Sequence, residues 1–232
     1  MEPGAEVQTR VGDVAGALAR ALGDGAVCIA VYGSAASDDF APGHSDVNLL
    51  IVLREVAFAD LRLIGATLER EAKDDLRFAT PLVITPSFLR DARDSFPIEI
   101  DDIGTRHRIL HGEDLLSGLA VEMAHLREAA EREARSALLR LRALVMHHPP
   151  EKDLQHALAG LCTTVLVIER ALLRTSITDT AARGETLFAA VERHQGLSLR
   201  VLARLYAMRA GRAPWPRNDD LDDLSAAALR DV

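Results

Sequence analysis

The residues with the most chemical content lie in one stretch. Val31-Tyr32-Gly33-Ser34 is followed by eleven residues, Ala35 to Ser45, and then by Asp46-Val47-Asn48-Leu49-Leu50-Ile51-Val52. Glycine lets a backbone approach a ligand closely, and the serine after it offers a hydroxyl and an amide. Asp46 and Asn48 are two residues apart in an extended segment, so both project from one face, with Val47 and Leu49 on the other. A carboxylate and an amide side by side, next to an anion-cradling turn, suit one divalent metal and the phosphates it neutralises. The plainer alternative is a strand-to-loop turn followed by a surface aspartate. His44, just before Ser45-Asp46, and Arg106 and Arg108 downstream are further candidates to face such a site. Their ordinary reading is as solvated side chains.

These residues need elements to hold them. The spacing of Val11, Val14, Leu18 and Leu22 predicts an amphipathic helix over 11–22, ended by Gly23-Asp24-Gly25. Apolar runs at 26–32 and 46–53 predict two buried strands, with a helix over 57–73 after them. A strand is expected at 78–85, with Pro81 marking an edge or bulge. At 96–101, Ile98 and Ile100 alternate with Pro97, Glu99 and Asp101, the pattern of a half-covered strand. Beyond Asp114 every period is helical: 115–147, 151–174, two shorter helices near 184–194 and 198–210, and one at 219–231. The expected fold is therefore α+β: a mixed sheet with helices over 1–114, then an α-helical bundle over 115–232.

Composition narrows the function. Of 232 residues 48% are hydrophobic, and the net charge is −8, as in an ordinary globular protein. Residues 1–114 hold 20 acidic against 11 basic side chains, which repels a nucleic-acid backbone. No segment is expected to span a membrane, and the start of the chain lacks the pattern of a signal peptide, so a cytoplasmic protein is expected. Cys28 and Cys162 sit in apolar runs and read as reduced, buried thiols.

The motif and its flanking strands resemble the nucleotidyltransferase superfamily, the DNA polymerase β-like fold. The flavour is that of the bacterial aminoglycoside adenylyltransferases and related small nucleotidyltransferases, which also append a helical bundle. The resemblance implies that Gly33 and Ser34, with Ser45 nearby, hold a nucleoside triphosphate. It implies that Asp46 is a catalytic residue and ligand of Mg2+. Asn48 stands where the second acid of the pair is expected, as a weak metal ligand. A third acid, as base or metal ligand, is expected on a later strand; Glu99 is the candidate and Asp101 the same-face runner-up.

Asparagine lends a neutral oxygen but no charge, and two Mg2+ ions about 3.5–4 Å apart need anionic ligands. The expected cofactor is therefore a single Mg2+ delivered with the nucleotide. Two functions follow from the resemblance. One is transfer of a nucleoside monophosphate, AMP above all, from Mg-NTP to a hydroxyl of a small acceptor. That acceptor would sit in an interdomain cleft, where Asp101 and Asp102 favour a cationic one. The other is a weakened homologue that serves as a nucleotide-binding, regulatory or antitoxin-like partner module. A homodimer is compatible with either.

Overall fold

The computed structural model describes residues 3–37, 40, 45–71, 76–176 and 185–231. It divides into two compact units, Met1–Val121 and Glu122–Val232. In chain order the first runs α1 (Pro3–Leu22), β1 (Ala26–Tyr32), a 3-10 turn (Gly33–Ala36), β2 (Asn48–Leu53), α2 (Phe58–Glu71), β3 (Leu82–Ile84), α3 (Pro86–Asp91), α4 (Pro97–Thr105) and β4 (His107–Gly112).

The four strands form one mixed sheet in the order β3-β2-β1-β4. The central strand β1 is antiparallel to both β2 and β4, and β3 is parallel to β2. Alternation along the strands divides the core in two. Ile29, Val31, Leu49 and Ile51 meet Val11, Val14 and Leu18 of α1 and Ile64 of α2. Cys28, Ala30, Leu50 and Val52 meet Leu89 of α3 and Ile100 and Ile103 of α4. β1 and β2 are covered on both sides, which is why they read as unbroken apolar runs. Truncating Leu50 or Ile51, both fully buried, to alanine is expected to cost about 2–5 kcal/mol.

Three sequence expectations are corrected. The strand expected at 96–101 is helix α4. Pro97 occupies its first turn, where a missing N–H costs nothing, and Glu99 lies in the same turn. The apolar pattern there is that of a helix, with Ile100 and Ile103 one turn apart and buried. Strand β4 was not expected. It is an edge strand of sequence His-Arg-Ile-Leu-His-Gly, too polar to announce itself. The helix expected from 115 begins only at Met123, because Asp114 nucleates a turn. Its Oδ1 accepts from the Leu116 and Ser117 amides at 3.0 and 2.9 Å, and its Oδ2 accepts from the Ser117 hydroxyl at 2.5 Å.

The second unit is helical: α5 (Met123–Met146), α6 (Glu151–Ser176), α7 (Glu185–Gln195), α8 (Arg200–Arg209) and α9 (Asp219–Asp231). Proline at 149 and 150 separates α5 from α6. The core is built from Leu141, Leu158, Leu161, Val165, Leu187, Val191, Leu202, Leu205, Leu221 and Leu224. Contrary to the expectation that no segment is apolar enough, Glu151–Arg174 is long and apolar enough to cross a membrane, with mean hydropathy 1.5. Half of it is buried inside the fold, as in a core helix, with Leu158 and Cys162 fully enclosed. Both cysteines are free and buried, and burial pushes Cys28 up to about 11 and Cys162 to about 12, so neither is a reactive thiolate.

Candidate functional site

The residues of the motif meet at one end of the sheet. Tyr32, the last residue of β1, is the register partner of Asn48, the first of β2. Gly33 follows with φ +72, a left-handed conformation that glycine adopts freely. A β-carbon there would lie 3.3 Å from Asn48 Nδ2, so the glycine also lets the asparagine amide close on the turn. The Gly33 N–H donates to the Arg106 carbonyl at 3.0 Å, tying the turn to the residue before β4. The Ser34 carbonyl accepts from the Ser37 amide at 3.1 Å and the Ser37 hydroxyl at 3.2 Å. The turn is thus fixed by its own backbone, leaving the Ser34 hydroxyl with no hydrogen bond to a described residue.

Asp46 precedes β2 on the face that carries Asn48, Leu50 and Val52. Its neighbour is set by a parallel pairing: Val47 bridges Phe78, the Val47 amide donates to the Arg77 carbonyl at 2.8 Å, and the Ala79 amide donates to the Val47 carbonyl at 3.0 Å. Registered residues of a parallel pair share a face, which brings Arg77 beside Asp46. Arg77 Nε lies 3.0 Å from Asp46 Oδ1, with the two side chains 61% and 49% exposed. A pair this exposed contributes only about 0–1 kcal/mol to stability, so a ligand can rearrange it at little cost. Ser45 is buried and takes part in the polar contacts of the fold. His44 lies outside the described residues.

Helix α4 lies over the same face. Burial pushes the Tyr32 hydroxyl pKa up, and the carboxylates of Asp102 and Glu99 push it further. Glu99 therefore does belong to the surroundings of Tyr32, but from an exposed helix position rather than a strand. Asp101 does not share its face. Two residues along a helix is more than half a turn, and Asp101 is buried where Glu99 is exposed. Asp102 is held by Arg106, whose Nη2 lies 2.6 and 2.7 Å from its two oxygens and whose Nε is 3.0 Å from Oδ1. Arg108 bonds Gln8 of α1. Arg106 is thus engaged inside the fold, whereas Arg108 is exposed and makes its contact at the surface. His107 faces the Ile103 and Gly104 carbonyls with Nδ1 at 2.9 and 3.1 Å. Carbonyls only accept, so Nδ1 carries the proton and Nε2 turns to Asp114 at 3.6 Å.

Among the described residues, the donor set does not fit a two-ion metal centre. Among the described residues, no group of three or more His, Cys, Asp and Glu side chains is placed to hold a metal ion. The segment beside Asn48 on the β3 side is Ala79-Thr80-Pro81, with no acid. What the site offers instead is donors. The Ser34 hydroxyl, the Asn48 amide and the terminal nitrogens of Arg77 make no hydrogen bond to a described residue. Sequence reasoning missed Arg77, because only the pairing of Val47 with Phe78 brings it to Asp46.

No family model matches the chain, and no curated protein matches it in sequence. Among solved structures, it is similar to spectinomycin adenyltransferase AAD(9) from Enterococcus faecialis, determined with ATP and spectinomycin. The TM-score is 0.52 at 13% identity, over 88% of this chain and 98% of that one. The chain has the nucleotidyltransferase fold. The likeness runs through both units, because 88% of the chain exceeds either unit alone. The expected α+β class, a mixed sheet followed by helices, holds for this nucleotidyltransferase fold.

Proposed function

We propose that this nucleotidyltransferase-fold protein binds a nucleoside triphosphate at the Gly33-Ser34 turn and has little power to transfer from it. The observation that supports this reading is the exchange of carboxylates for donors at the end of β2. Asn48 is neutral, Asp46 already faces a guanidinium, residues 79–81 bring no acid, and Ser34 and Asn48 have polar atoms to spend on a ligand. A nucleotide's phosphates accept hydrogen bonds from such groups. The compartment that suits a nucleoside triphosphate and two buried free thiols is the cytoplasm. The test is calorimetric titration of ATP, GTP, CTP and UTP into the protein, with radiolabelled transfer to an aminoglycoside mixture alongside. Saturable binding with transfer absent or slow is expected. No binding of any of the four would overturn the reading.

A second reading is transfer of AMP to a hydroxyl of a small, cationic acceptor. It is favoured by the match to 98% of the spectinomycin adenyltransferase chain, whose structure holds ATP and spectinomycin. In this reading Glu99 is the remaining candidate for the third carboxylate, and Mg2+ is the ion that travels with the nucleotide. Efficient radiolabel transfer in the same assay would select it.

A further inference from the structure

We propose that Arg77 is the anion-binding cation of this site, receiving phosphate oxygens of a polyphosphate on its terminal nitrogens, so that the protein binds nucleoside triphosphates without a divalent ion. This inference rests on the nucleotide-binding reading and goes further, naming how the phosphate charge is met.

Three observations carry it. First, backbone pairing sets the position of Arg77 next to Asp46. The Arg77 carbonyl accepts from the Val47 amide at 2.8 Å, and its Nε stands 3.0 Å from Asp46 Oδ1. Guanidinium presents a planar fork of donors, and a carboxylate at its Nε edge leaves the outer edge, formed by the two terminal nitrogens, able to donate to a second anion. Among the described residues, Asp46 is the acid paired with that guanidinium. Second, Asp46 Oδ1 already faces the Arg77 guanidinium and Asn48 is neutral, so a metal ion here would compete with that guanidinium for a single carboxylate. Third, residues 1–114 are strongly acidic, with 20 acidic and 11 basic side chains, so a polyphosphate needs local positive charge there. Among the described residues, Arg106 is committed to Asp102 and Arg108 to Gln8, whereas Arg77 stands at Asp46 with its side chain 61% exposed.

The experiment is isothermal titration of ATP, and separately of inorganic tripolyphosphate, into the wild type, Arg77→Gln and Arg77→Lys. Each is run with excess EDTA and again with Mg2+. Wild type is expected to bind ATP and tripolyphosphate in EDTA. Arg77→Gln is expected to weaken both by about ten- to a hundredfold, the loss of a charge-assisted contact, and Arg77→Lys to recover part of it. Arg77 is well exposed, so the variants are expected to fold, and a melting curve for each checks this. ATP binding that requires Mg2+, or EDTA binding that is unchanged in Arg77→Gln, would overturn the inference while leaving the nucleotide-binding reading standing. Absence of ATP binding in both buffers would overturn both.

Discussion

Replacing Gly33 by alanine tests the geometry on which the site depends. Gly33 has φ +72, and an L-residue held in the left-handed region costs about 1–2 kcal/mol. The added methyl would lie 3.3 Å from Asn48 Nδ2, the far end of a side chain that can yield by a few tenths of an ångström. The strain term therefore dominates the cost, and the contact is felt mainly as displacement of the Asn48 amide. For a chain of this size the destabilisation corresponds to a fall in melting midpoint of roughly 2–8 °C. Gly65→Ala is the matched control. Gly65 lies inside helix α2 with nothing near an added methyl, so alanine there should stabilise by about 0.5–1 kcal/mol. The assay is scanning calorimetry of the three proteins, with ATP titration of each. Opposite shifts in midpoint are expected, with weakened ATP binding in Gly33→Ala alone. A Gly33→Ala protein as stable as wild type, and as tight for ATP, would refute the turn geometry and its role together.

Asn48→Asp adds an anionic ligand two residues from Asp46, and should tighten Mg2+-ATP on the order of ten- to a hundredfold while weakening ATP in EDTA. Calorimetric titration in the two buffers checks this; identical binding before and after would place Asn48 away from the phosphates. The Asp114 carboxyl is held at about 2, below its ordinary 3.8, by hydrogen bonds from the Ser117 side chain and amide, helped by the Leu116 amide and His107. A depressed native pKa means that this stabilisation is present above 3.8 and lost as pH falls through about 2. Asp114→Ala should therefore melt lower than wild type at neutral pH, and the gap between their melting curves should close in acid. Glu169 is buried in α6 with Oε2 lacking a hydrogen-bond partner, and burial pushes its carboxyl up. A raised native pKa penalises folding once pH passes the unfolded value, so Glu169→Gln should be more stable than wild type at neutral pH, with the gain shrinking in acid. Urea unfolding across that range measures it, and a gain independent of pH would show that charge is not the cause.

The parts of the fold legible in the sequence are those whose burial is complete. β1 and β2 appear as apolar runs because helices cover both faces, and Gly33 could be read as a turn because the strand stops there. The 97–105 helix resembles a strand in sequence because Ile98 and Ile100 alternate over a few residues, too short a stretch to separate period two from a helical face. Pro97 in the first turn and Ile103 one turn after Ile100 were the better signals. β4 was illegible because an edge strand need not be apolar. Asp46 and Asn48 were readable as a pair, since two-residue spacing fixes their shared face. Arg77 was not, because its place at Asp46 depends on a parallel pairing that no local pattern encodes. The apparent kinship of Glu99 with Asp101 followed from the strand reading, and in helix α4 it is Asp102, not Asp101, that joins Glu99 near Tyr32.

The most direct measurement of whether a nucleotide sits at the end of β1 is an amide NMR titration of the isotope-labelled protein with ATP. The expected result is saturable shifts centred on the backbone amides of Gly33, Ser34 and Ala35 and on the Asn48 side-chain amide, with the Arg77 Nε–H signal moving alongside them. Shifts clustered elsewhere in the chain, or none at those amides at saturating ATP, would contradict nucleotide binding at this turn.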